Sequence, residues 1–150
     1  MLNKPTEELE ELLERTSPEE LGAYLKDNAR YLAGEGKGFY YYMKDMLEEH
    51  RVKLKDVYSF AGVSESYGSK ILTMEKHTTD RDLILRFCIA GHLLLDETNR
   101  ALKLYGMREL YAKDPRDACF IVALLNRNHD MGEIDSLLEE QGLQKITKEE

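Results

Sequence analysis

The chain has 150 residues, with 21 basic against 29 acidic side chains for a formal net charge of −8, and is 42% hydrophobic and 33% charged. That length suits about one domain with a real core, and the balance is typical of helix-rich globular chains. No apolar run reaches the roughly 20 residues of a membrane span, and the acidic start MLNKPTEELEELLER is unlike a secretory signal. So acidic a chain is not expected to coat nucleic acid indiscriminately, and it is expected in the cytoplasm.

Val and Ile are sparse and no period-2 alternation is sustained, so the expected fold class is all-α. Leu9, Leu12 and Leu13 mark a short amphipathic helix near residues 6–15. Ser17-Pro18-Glu19-Glu20 is a start signal: Ser caps, Pro suits the first turn, and the acids face the positive helix end. The helix it opens carries Leu21, Tyr24, Leu25, Ala29 and Leu32 and should stop before GEGKG, residues 34–38. That run lacks the spacing of a phosphate loop and no strand precedes it, so it reads as a linker.

In FYYYMKDMLEEH, residues Phe39, Met43, Met46, Leu47 and His50 share one helical face. A short helix LKDVYSFA follows, then Gly62, then a third helix from Ser64 to about Met74. A long apolar helix is expected over about 81–93, with Leu83, Ile84, Phe87, Cys88 and Gly91 inward. Asp96 is the expected cap of ETNRALKLY, and Gly106 its left-handed end. Asp114-Pro115 opens the most apolar helix, ACFIVALL, and Asp130 with Glu133 forms a capping box for MGEIDSLLEEQ, ending at Gly142. The tail LQKITKEE is expected to fray.

Three segments result: an acidic helical arm and linker over 1–38, five helices over 39–106, and a two-helix extension over 107–150. Their charges differ. Residues 1–38 carry 5 basic and 9 acidic groups, residues 39–79 carry 6 of each, and residues 80–150 carry 10 and 14.

The least acidic segment holds GVSESYGSKI, residues 62–71, where Gly62 can take the positive φ of a sharp turn. Val57, Ala61, Val63 and Ile71 are apolar at the offsets that lock two helices across it, and Ser64 can cap the second. In these residues the chain resembles the five-helix domain of phage-repressor-like (Xre-type) regulators, with LKDVYSFAGVSESYGSKI standing at the helix-turn-helix. RDLILR, LDETNRALKLYG and LYAKDPRDA also resemble small bacterial Xre-type proteins with a helical C-terminal extension. The resemblance covers about residues 39–142. It departs from the family at two positions: Tyr58 stands where a small residue is usual, and Gly68 where Ile or Val is usual. That exchange of volumes predicts the ring of Tyr58 packed over the Cα of Gly68.

The resemblance implies a sequence-specific, double-stranded-DNA-binding transcriptional regulator. Its groove residues would be Glu65, Ser66, Ser69 and Lys70, with Thr73 next along the face. Lys53, Lys55, Lys76 and Arg81, with Ser64 at the helix start, would meet phosphates. No cofactor is implied. A homodimer or a protein partner is expected through 115–141, because ACFIVALL is more apolar than one buried stripe requires. The rival reading keeps the fold as an acidic protein–protein interaction module without DNA readout.

No catalytic constellation stands out. His50, His77, His92 and His129 are dispersed in the sequence, Cys88 and His92 lack the second ligand pair a metal needs, and both cysteines sit in apolar runs as core residues. Tyr40, Tyr41 and Tyr42 point in three directions on a helix, which suits packing better than a stacking platform for single strands.

Overall fold

The computed structural model describes residues 6–28 and 37–147. Among them every regular element is helical and none is a strand. The order is α1 (Thr6–Glu14), a 3-10 turn (Pro18–Glu20) running into α2 (Leu21–Asp27), α3 (Gly38–Glu49), α4 (Leu54–Ala61), α5 (Glu65–Leu72), α6 (Arg81–Ala90), α7 (Leu95–Leu104), α8 (Pro115–Leu125) and α9 (Met131–Glu140). The expected continuation of the second helix through Ala29 and Leu32, and Gly34 to Gly36 of the linker, lie outside the described residues. Gly38 is not linker: it is buried as the first residue of α3.

The core forms around α6, in which every residue from Leu83 to Ala90 is buried. A helix covered on all sides must be enclosed by others, and α4 and α7 pack directly against it. One apolar cluster runs from Phe39, Met43 and Leu47 through Val57, Ile71 and Phe87 to Phe120, Leu124, Leu138 and Ile146. The core therefore continues across Gly106, which ends α7 but interrupts no packing. No residue of α1 is buried, and in α2 only Tyr24 is.

Polar ties join α6 to the C-terminal helices. Arg81 Nη1 and Nη2 donate to the two carboxylate oxygens of Asp117 at 2.8 and 3.0 Å. Arg116 Nη1 and Nη2 donate to those of Asp82 at 2.7 and 2.8 Å. Two Arg-Asp dipeptides thus exchange partners, one at the start of α6 and one at the start of α8. Planar bidentate pairs of this kind fix orientation as well as adding energy.

Several expectations need correction. The tail does not fray through Thr147. Asp135 accepts the Ile146 N–H at 2.8 Å, while Arg86 and Arg116 donate to the carbonyls of Ile146, Gln144 and Lys145. Ile146 is buried in the core, which compensates for the ordering of this short segment. Asp96 does not cap α7. The helix begins two residues earlier than that cap implies, at Leu95, and Glu97 reaches back to take the Leu94 N–H at 2.8 Å. At α9 only half the capping box forms. Asp130 accepts from the Glu133 N–H, but its own N–H donates to Asn128 Oδ1. Finally, α6 ends at Ala90, short of 93, because His92 turns left-handed (φ 62°) and the Leu93 N–H closes on the Cys88 carbonyl at 3.0 Å.

Candidate nucleic-acid interface

α4 buries Val57, Tyr58 and Ala61 and exposes Lys55, Ser59 and Phe60. It ends at Gly62, whose φ of 74° and ψ of 33° lie in the left-handed region that an L-residue enters at a cost. The Val63 N–H then closes the turn on the Tyr58 carbonyl at 3.1 Å. Ser64 is extended, and its hydroxyl accepts the Tyr67 N–H at 3.1 Å, so it caps α5 as its type suggested. The turn is pinned from behind: buried Arg86 donates Nε to the Ala61 carbonyl at 2.8 Å.

α5 buries Gly68, Ile71 and Leu72 against this frame. A Cβ placed on Gly68 would lie 2.5 Å from Cδ1 and 2.8 Å from Cε1 of Tyr58. The ring does pack over Gly68, and Tyr58 is only 7% exposed. The volume exchange is therefore real: the first helix carries the bulk and the second leaves the gap. Burial pushes the Tyr58 hydroxyl above its ordinary range, and a hydrogen bond with Ser69 pulls the other way.

On the opposite side of α5, Glu65, Ser66 and Ser69 are exposed and Lys70 is half-buried. Thr73 is the C-cap, with its hydroxyl donating to the Ser69 carbonyl at 2.8 Å. It can still accept a hydrogen bond, but its proton is engaged. Among the flanking groups Ser64, Lys53, Lys55 and Lys76 are all exposed. None of the lysines, Lys70 included, pairs with a carboxylate among the described residues.

Arg81 departs from the expected set. Besides the Asp117 pair, it donates Nε and Nη2 to the Arg108 carbonyl and Nη2 to the Glu109 carbonyl. Its guanidinium is engaged by Asp117 and two backbone carbonyls of the segment before α8, which ties it into the fold and leaves it less available to a phosphate than the lysines.

The histidines are less scattered in space than in sequence. The rings of His92 and His129 stack with centroids 5.0 Å apart, and His129 Nε2 lies 2.8 Å from the Leu93 carbonyl. His50 Nε2 lies 2.7 Å from Glu97 Oε1. Partial desolvation of this surface residue and the neighbouring His129 and His50 hold His92 below the usual histidine range. No group of three or more His, Cys, Asp or Glu among the described residues has metal-binding geometry. Cys88 is fully buried, its thiol pushed up to about 12 by burial, with the Thr98 hydroxyl beside it. No helix among the described residues is long and apolar enough to cross a membrane.

No family model matches the chain, and the searches of curated proteins and of solved structures found no match either.

Proposed function

We propose that this protein is a sequence-specific, double-stranded-DNA-binding transcriptional regulator of the phage-repressor-like class, reading bases through α5. The observation that carries this reading is the arrangement of α5. One face is locked into the core by Gly68, Ile71 and Leu72, and the other presents Glu65, Ser66 and Ser69 to solvent with Lys70 at its edge. The free lysines lie around it: Lys53 and Lys55 at the start of α4 and Lys76 beyond α5. Lys70 suits guanine O6 and N7, Glu65 suits cytosine N4, and the outer lysines suit phosphates. Such domains act in pairs on two half-sites. The pairing surface in this reading is α8 and α9, where Val122 and Leu125 are 51% and 65% exposed. Those same two side chains favour the second reading, an acidic interaction module without DNA readout.

Selection from random duplexes at low and moderate salt tests the class, and an enriched motif is the expected result. On that motif, Lys70→Ala should cost about 1–3 kcal/mol at one base position and relax preference there. Lys55→Ala should weaken binding to all sequences and flatten the salt dependence by about one counterion. Specific binding that survives loss of Lys55, Ser69 and Lys70 together would rule out α5 as the reader.

A further inference from the structure

A cleft of about 200 Å³ opens beside the α4–α5 turn, between Phe60, Tyr67, Leu83, Asp80, Arg86 and Thr147. Its mouth is aromatic in a way the fold does not require: Phe60 is 63% and Tyr67 39% exposed. Its charged wall is equally unusual. Arg86 is 4% exposed, yet it donates only to two carbonyls, Nε to Ala61 and Nη1 to Ile146. Among the described residues no carboxylate pairs with it, and no acceptor is seen for its Nη2, which lines the cleft. A guanidinium this enclosed gains from an anion that completes its hydrogen bonds. Asp80 also lines the cleft and accepts the Leu83 N–H at 3.4 Å as the cap of α6, where the helix end favours its charge.

We propose that this cleft binds a small apolar carboxylic acid, with the carboxylate on Arg86 Nη2 and the hydrocarbon between Phe60 and Tyr67. The volume admits an acid of about ten heavy atoms, below the usual size of drug-like sites. A DNA phosphate is not the occupant, because a backbone phosphate cannot enter between aromatic walls to a side chain this buried. Cleft and turn share Gly62, Val63 and Tyr67. Occupancy would therefore act on the seat of α5, and on the DNA reading above the acid is an effector. Binding itself does not depend on that reading.

Phenylacetate is the probe, titrated into the full chain and followed by amide chemical shifts at constant ionic strength. Saturable shifts should appear at Phe60, Gly62, Val63 and Tyr67 within about 10 mM, the range expected for so small a ligand. Phenylacetamide, the neutral isostere, should bind about tenfold more weakly because it lacks the charge-assisted hydrogen bond. Phe60→Ala with Tyr67→Ala removes exposed rings only and should weaken phenylacetate by a similar factor while the chain stays folded. Arg86→Gln should remove the preference for the acid over the amide. No saturation, equal binding of acid and amide, or indifference to loss of the two rings overturns the proposal. Phenylacetate binding without any selected DNA motif leaves the cleft in place and removes only its role as an effector site.

Discussion

One missing Cβ at Gly68 decides how α4 and α5 meet. With Tyr58 Cδ1 only 2.5 Å from where that Cβ would stand, any larger side chain must displace a ring that is itself buried. Gly68→Ile should therefore overpack and cost about 1–3 kcal/mol in urea unfolding. Adding Tyr58→Ala reopens the space and should recover much of that loss. Independent, additive losses in the double variant would mean that the two side chains do not share the volume. This contact was legible in sequence because both departures fall inside one short motif, where offsets fix which positions face each other. The same holds for Gly62 and Ser64, whose residue types announce a left-handed turn and a cap. Arg86 was not legible. A charged residue in RDLILRFC gives no local sign that it will be buried, and its partners at Ala61 and Ile146 are 25 and 60 residues away.

Between elements, the Arg-Asp exchange is the firmest polar tie. Asp117 has a side chain only 3% exposed and accepts from Arg81, from Arg108 and from the Tyr111 N–H. Asp117→Ala leaves these donors without it. The expected loss is about 2–3 kcal/mol, below the full cost of breaking a buried pair because Arg81 keeps its carbonyl partners and some water. A change within about 0.5 kcal/mol, as for surface pairs, would show that the tie orients α8 without stabilising it. Several helix ends escaped sequence reading for a related reason. Gly106 and Gly142 announce theirs, but Arg51, His92 and Arg127 adopt φ of 58°, 62° and 54° without glycine. A backbone bond closes each end, from the Val52, Leu93 and Asn128 N–H to the Leu47, Cys88 and Ala123 carbonyls, and the residue type at the turn does not announce it. His92 adds a pH dependence at such an end. Its folded value lies below the ordinary 6.5, so the unfolded chain takes up the proton first. The sign is then fixed: this group costs nothing above that ordinary value, and stability declines as pH falls below it. Facing His92 are His129 on the α8–α9 connection and His50 with Glu97 at the α3 and α7 ends. His92→Asn keeps a residue that tolerates the left-handed region. It should flatten the slope of stability between about pH 7 and 5; an unchanged slope would move the effect to another group.

At the scale of the molecule, charge and packing divide the chain in different places. The helical class was readable from composition and periodicity, and so was the acidity of the two flanks. The continuity of the core past Gly106 was not, because long-range packing of Phe120, Ile134 and Ile146 onto α6 and its neighbours leaves no local mark. The arm is the opposite case. Its described residues bury only Tyr24 and Asn28, and neither joins the core cluster. Removing residues 1–36 takes away 9 acidic and 4 basic groups, leaving a net charge of −3 in place of −8. A chain beginning at Lys37 should therefore unfold cooperatively, with a stability within about 1 kcal/mol of the full chain, since none of the arm's described side chains joins the core cluster. On the DNA reading it should also bind its selected duplex at least as tightly, most visibly at low salt. There the Debye length reaches about 30 Å and the acidic arm repels phosphates from a distance. The two measurements separate two ideas. Loss of cooperative unfolding would make the arm part of the fold. A folded chain whose affinity drops on truncation would mean that the arm contributes contacts to DNA and does not hold it away.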